Sequence, residues 1–345
     1  MGGTLEGMNR VIPVSLVVLL LTVCACSIFT PQTGEPRISF MPTGVPETFF
    51  TPERTGMFSG INDGSLALQY LKELSHFGSR ALNEPGHARA SEYIENFLLR
   101  LGYSPVKQNF VTSYELPALN LFVDKTGQSS QVILIGAHYD SVNTGSGIDD
   151  NASGIAILLE MANRLKNKET PYSLRFVFLD AEETGLEGSK YYVSQMSIDD
   201  IQNTLAMINL DSLAVGDHTY IYGNEGEDGA IRDWALDYAA RQGFDLITQP
   251  GLNPEYPAGT TLDESDHAPF LHAGIQYAYF EATNWALGEM DGYTQVDTGY
   301  GEEGEIWHTE YDTLEYIMKT FPGRMESHLK LFSNVLFHIL TDYQG

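Results

Sequence analysis

The sequence predicts an α/β domain with a central, mixed but mostly parallel sheet flanked by helices. Three observations carry this expectation. Short apolar runs at 132–137, 174–179, 205–210 and 277–280 have the near-continuous hydrophobicity of strands buried on both faces. Helical-period segments alternate with them, and residues 154–165 form such a segment between the first two runs. Polar residues capable of chemistry follow the runs directly: His138 and Asp140 after the first, Asp180, Glu182 and Glu183 after the second, and Asp211 after the third. An open sheet of this class carries its site at the carboxyl ends of its strands.

Ahead of the domain, residues 11–23 are apolar and follow Arg10. The run is too short to span a bilayer comfortably and reads as an export signal. Met8 is a more regular start for it than Met1. Val23-Cys24-Ala25-Cys26 resembles a bacterial lipobox with Cys26 as acceptor, although Cys24 departs from the usual pattern. Residues 1–26 are therefore expected to be a leader, and 27–60, rich in Pro, Thr and Gly, a flexible linker. The expected location is the outer face of a bacterial membrane through a lipid anchor, or otherwise secretion.

Residues 61–345 are expected to form one domain. Leu66, Leu68, Tyr70, Leu71, Leu74 and Phe77 carry helical spacing that ends near Gly78. Tyr93, Ile94, Phe97, Leu98 and Leu101 repeat it up to Gly102. Residues 106–111 and 119–123 read as a strand pair. Residues 231–241 and 325–340 read as helices, with Pro322 expected to start the last.

Composition narrows the chemistry. With 19 Lys+Arg against 46 Asp+Glu the net charge is −27, which leaves no basic footprint for nucleic-acid phosphates. Hydrophobic residues at 43% are enough for a packed core. The two cysteines, Cys24 and Cys26, both lie in the leader. The domain therefore has no disulfide framework, thiolate metal site or cysteine nucleophile.

Each polar segment read alone is ordinary. Asp140 lies two residues beyond His138, on the same side of an extended chain, where a carboxylate can orient an imidazole. Residues 147–154 (GIDDNASG) also read as a helix cap, and the acid pair Glu182-Glu183 as the first turn of a helix. Asn209-Leu210-Asp211 alone says little. Together they supply histidine and carboxylates without sulfur, the donor set of a hydrolytic zinc site. A carboxylate bridging two ions would make a clamp for an attacking water.

Six segments in this order resemble peptidase family M28, the bacterial secreted zinc aminopeptidases. They are GAHYDS at 136–141, GIDDNASG at 147–154, AEETGLEGS at 181–189, NLDS at 209–212, SDHAPF at 265–270 and WHTEYDT at 307–313. The resemblance covers roughly residues 65–340 and implies a single hydrolase-like α/β domain. It implies two zinc ions per chain, one on His138 and Asp211, the other on Glu183 and His308, with Asp150 bridging. It gives Glu182 the role of general base and Asp140 that of the acid behind His138, and leaves Asp149 structural. Its substrates are peptides with a free N-terminus.

Some positions stay open. Asp266 and His267 read either as site-wall groups or as a structural pair. Trp307 stands where some relatives carry a tyrosine, and an indole has no phenol to stabilise an oxyanion. His76, His87, His218, His272, His328 and His338 read as structural or surface groups. The acidic, glycine-rich stretch 288–305 reads as a loop over the cleft, without the spacing of a calcium-binding EF-hand. Two other activities are compatible with the scaffold. One is a glutaminyl cyclase. The other is a glutamate-releasing carboxypeptidase, which needs cations for a free carboxylate. Arg232, Arg241 and Arg324 lie beside no motif.

Overall fold

In the computed structural model, which describes residues 63–345, the four apolar runs become the middle of one sheet. The strands are β1 (Val106–Val111), β2 (Pro117–Lys125), β3 (Ser129–His138), β4 (Tyr172–Leu179), β5 (Thr204–Leu210), β6 (His218–Gly223), β7 (Leu246–Ile247) and β8 (Tyr277–Thr283). Their order is β1-β2-β4-β3-β5-β8-β6-β7. The central four, β4, β3, β5 and β8, run parallel, while β2 and β6 pair antiparallel at their flanks. The expected leader, the lipobox-like segment with Cys24 and Cys26, Met8 and the whole of the expected linker 27–60 lie outside the described residues.

The helices are α1 (Ser65–Leu74), α2 (Pro85–Arg100), α3 (Gly154–Leu165), α4 (Glu187–Ser194), α5 (Ile198–Asn203), α6 (Ala230–Gln242), α7 (His267–His272), α8 (Leu314–Thr320) and α9 (Arg324–Asp342). The larger core joins α1, α3 and α9 to one face of the sheet through Leu71, Ile155, Leu158, Ile208, Phe332 and Leu336, all fully buried. A smaller core on Leu134, Val177, Met207, Phe270 and Ile275 involves α4 and α7. Both faces of the central strands are thus covered, which is why those strands read as unbroken apolar runs.

One buried acid shows how the layers are tied. Glu160, on α3, is fully buried and accepts the backbone N–H groups of Gly64 (3.1 Å) and Ala67 (2.7 Å). Helix α1 begins after Gly64, which has no side chain for its own cap, so Glu160 supplies the anion its N-terminus favours. Arg164 Nη1 donates to the same carboxylate at 3.0 Å.

The expected bounds of β1 and α3 agree with the structure, and the other central elements extend by a few residues at their ends. Pro322 does not start the last helix. Gly323 precedes Arg324 in a left-handed conformation (φ 81°) and makes the turn into α9. Strand β6 escapes the sequence reading because His218, Thr219, Tyr220 and Tyr222 mix polar and aromatic character. Its partner β8 supplies the reason for its extension.

Candidate metal centre

Strand β3 delivers His138 as its last residue, and β4 ends one residue before Asp180. Asp180 is a structural post. Its carboxylate accepts from the backbone N–H of Leu119 (2.7 Å) and Ala181 (2.9 Å) and from the Tyr139 hydroxyl (2.7 Å). His87 Nε2 lies 2.7 Å from it, with the ring stacked on Tyr139. After this post the chain turns sharply, with Ala181 at φ 58°. The turn sends Glu182 and Glu183 in different directions, as consecutive residues of a plain strand end also would, but in a tighter space. Asp140 fixes their backbone by accepting both amide N–H groups at 3.2 Å. Its Oδ1 also lies 3.4 Å from His138 Nδ1, so one carboxylate aligns the imidazole with the acid pair.

The loop before α3 places Asp150. Gly147 enters it at φ 58°, and the Asp150–Asn151 peptide is cis. Asn151 then closes the loop by donating to the Leu210 carbonyl (2.8 Å) and accepting from Gly154 N–H (2.9 Å). A Cβ at Gly154 would stand 2.4 Å from both Asn151 Oδ1 and the Leu210 carbonyl, so α3 starts against the end of β5 only with glycine there. Asp149 faces away from the centre. Its carboxylate accepts from the Ala214 and Val215 amides and from Gln295 Nε2 (2.6 Å).

Three residues outside the expected set hold this loop. Asp312, four residues after His308, accepts the backbone N–H groups of Ile148 (2.9 Å), Asp149 (2.8 Å) and Asp150 (3.2 Å). Gln295 joins Asp149 to the stretch before His308 by accepting from the Ile306 and Trp307 amides, each at 2.9 Å. Arg80 is fully buried and gives its guanidinium to the carbonyls of Tyr139, Ser146 and Gly147. Burial lowers its pKa from the ordinary arginine value, against the pull of Asp312 and Asp150. Asp312 falls within a motif already singled out, whereas Arg80 and Gln295 carry no local pattern.

The side chains so placed converge. His138 Nε2 lies 3.1 Å from Asp150 Oδ1, 3.4 Å from Asp211 Oδ1 and 4.0 Å from Glu182 Oε2. His308 Nε2 lies 3.0 Å from both Asp150 Oδ2 and Glu183 Oε2. Asp150 therefore presents one oxygen to each histidine. Two groups have the spacing to hold an ion, His138 with Glu182 and Asp211, and His138 with Asp150 and Glu183. Asp211 is steadied by Ser265, whose hydroxyl donates at 2.7 Å while it accepts from Asn209.

The donor set fits divalent metal. Both ring nitrogens of buried His138 lack a well-formed hydrogen bond, and four carboxylates crowd the imidazoles. Nitrogen and oxygen donors without sulfur are the ligands of hydrolytic zinc. Without metal, protons are the balancing cations. Burial alone would depress the His138 imidazole, yet Asp211 and Glu182 hold it well above the usual histidine range. Hydrogen bonds to Asp150 and Glu183 raise His308 to about 11. Burial, and then the Asp150 charge, push Glu183 up to about 7. Burial also raises Glu182 well above the usual carboxylate range.

Residues 120–332 match the sequence profile of peptidase family M28. The chain belongs to that family. It is 33% identical over 298 residues to the alkaline phosphatase isozyme conversion protein of Escherichia coli, covering 77% of this chain and 86% of the relative. It is 46% identical over 218 residues to the probable lipoprotein aminopeptidase LpqL of Mycobacterium tuberculosis, covering 58% of this chain and 41% of the relative. The structure of a zinc aminopeptidase from Bacillus subtilis superposes with a TM-score of 0.52 at 26% identity, covering 67% of this chain and 52% of that one. The chain thus spans about half or less of these two aminopeptidases. Membership, fold and donor set agree on a metal-dependent exopeptidase of the zinc metallopeptidase class.

In this M28 chain a cleft of about 220 Å³ opens beside the cluster. Asp150, Glu182, Asp211 and His308 form part of its lining. The stretch 288–305 supplies Asp291, Gly292, Tyr293 and Glu305, so the expected loop does border the cleft. Trp307 also lines it and meets Tyr293 edge to face at 5.9 Å. Asp266 and His267 do not reach the lining, where Ser265 stands for their segment. Both are fully buried, the His267 ring packed on Tyr277 and Tyr279, and burial lowers its pKa to about 4.

A proton count tests the metal site. Coordination needs neutral imidazole, and His308, raised to about 11, carries a proton at neutral pH in the metal-free protein. Zinc loading at pH 7 is therefore expected to release protons, and affinity to rise with pH. Titration calorimetry in buffers of different ionisation enthalpy measures this directly. A binding heat independent of the buffer contradicts it.

Proposed function

We propose that the chain is an aminopeptidase that removes the first residue of peptides with a free N-terminus. The observation that carries this reading is the lining of the cleft. Among the described residues it holds acidic side chains and no Lys or Arg, so it attracts a substrate ammonium and repels a substrate carboxylate. A glutamate-releasing carboxypeptidase needs the opposite.

In this proposal His138 and Asp211 would hold one zinc, Glu183 and His308 the other, and Asp150 would serve both. Bound there, the ions would supply Lewis acidity toward the scissile carbonyl and toward water. Glu182 would accept a proton from the attacking water and return it to the departing amine. Its carboxylate borders the cleft and accepts no hydrogen bond among the described residues, which leaves it free for proton transfer. Asp140 keeps Glu182 and Glu183 in place through their amides and keeps the His138 ring in register. Asp266 and His267 serve as packing beneath the cleft wall, and Trp307 as part of that wall.

Glu182→Gln is expected to lower kcat by about 10³-fold while zinc content stays the same. Aminoacyl-nitroanilide hydrolysis, with metal analysis of the same samples, checks this. N-acetylated copies of the substrates should not turn over. Equal hydrolysis of acetylated and free forms would contradict the aminopeptidase reading.

We also propose that residues 1–26 are an export leader, that Cys26 carries lipid, and that 27–60 tether the catalytic domain, 61–345, to a bacterial membrane. The lipobox-like segment and the lipoprotein name of the mycobacterial relative support this. In an exporting bacterial host, Cys26→Ala should move activity from the membrane fraction to the soluble fraction. Unchanged fractionation would overturn the anchor.

A further inference from the structure

The cleft contains a buried carboxylate that neither the metal cluster nor the water-activating step uses. Glu281 lies in β8, next to Phe280, whose carbonyl accepts the Asp211 amide. It is only 6% exposed, and it borders the cleft. Tyr222 donates to its Oε2 at 2.6 Å and Tyr279 to its Oε1 at 3.2 Å. Tyr222 is held in turn by Trp285 Nε1 at 2.6 Å. The two hydroxyls fix the carboxylate and leave each oxygen with further accepting capacity.

Among the described residues Glu281 pairs with no Lys, Arg or His, and burial, against the Tyr222 hydrogen bond, pushes its carboxyl up to about 8. A buried carboxylate in this position is unfavourable unless something positive enters beside it. The rest of the lining suits the same visitor. Tyr293 and Trp307 present aromatic surface, and Asp291 adds a further negative charge. Aromatic faces with acids are a setting for an ammonium or guanidinium. A neutral aliphatic side chain would instead cover Glu281 without giving it a partner.

We propose that Glu281 is a specificity-determining residue that selects substrates whose first residue has a cationic side chain, lysine or arginine. This rests on the aminopeptidase reading. In that reading Glu182 is committed to the water and Asp211 to zinc, which leaves Glu281 for the substrate. Burial of a hydrogen-bonded charge pair in the bound state is what makes the choice, because a neutral analogue of similar length forfeits it.

The test compares kcat/KM of the zinc-loaded enzyme for lysyl-, Nε-acetyl-lysyl-, arginyl- and leucyl-nitroanilide, and repeats the set with Glu281→Gln. The wild type should favour lysyl over Nε-acetyl-lysyl substrate by about 30-fold, and the variant should bring that ratio close to one. A wild-type ratio near one, with all free-amine substrates hydrolysed, overturns the selection and leaves the aminopeptidase reading standing. It would also mean that Glu281 faces the α-ammonium or nothing. A wild-type preference that survives in Glu281→Gln overturns the assignment to Glu281. If that variant does not fold, Glu281→Leu takes its place, and an unchanged lysyl to acetyl-lysyl ratio in it overturns the assignment equally. No hydrolysis of any substrate by enzyme carrying its zinc sinks both readings.

Discussion

Asp150, on the loop before α3, meets Glu182, Glu183 and Asp211, just past strand ends, where little water reaches them, and only cations can balance such a gathering. His138 and His308 stand among them at 3.0 to 3.4 Å from the nearest carboxylate oxygens. Protons or metal must therefore occupy the centre at every pH at which the fold persists. This requirement explains the rest of the local architecture. The chain spends buried side chains on holding acids together that would otherwise separate.

The holding groups are mostly backbone amides. Asp312 takes three of them, Asp140 two and Asp180 two. An amide donor stabilises a carboxylate without bringing in a competing cation. Arg80 acts in the complementary sense, using a buried guanidinium to gather three carbonyls of the loop between His138 and Asp150. Asp312 and Gln295 connect the His308 stretch to the Asp150 loop, so segments far apart in sequence are set by the same bonds. The acidic cleft continues this theme, because Glu281 follows Phe280, whose carbonyl accepts the Asp211 amide, and pairs with no Lys, Arg or His among the described residues.

Much of this was legible in the sequence. The central strands are apolar on both faces, so their runs were visible without alternation, and the reactive residues follow them as an open sheet requires. The sharp turn that separates Glu182 from Glu183 is consistent with the segment but its angle at Ala181 is not a sequence property. Strand β6 was hidden because its polar and aromatic residues satisfy tertiary neighbours rather than a period. Pro322 misled because the residue that turns the chain into α9 is Gly323. Arg80 and Gln295 act through backbone atoms brought together by the fold, and such contacts leave no local pattern. Glu281 directly follows the apolar run 277–280, and only its tyrosine partners and its place in the cleft distinguish it.

The account centres on two cations divided by one carboxylate. Anomalous diffraction from crystals of the zinc-loaded protein, recorded on both sides of the zinc absorption edge, tests that most directly. The account predicts two zinc peaks flanking the Asp150 carboxylate, one toward His138 and Asp211 and the other toward Glu183 and His308. A single peak, or peaks away from Asp150 in protein carrying its full metal complement, would contradict it.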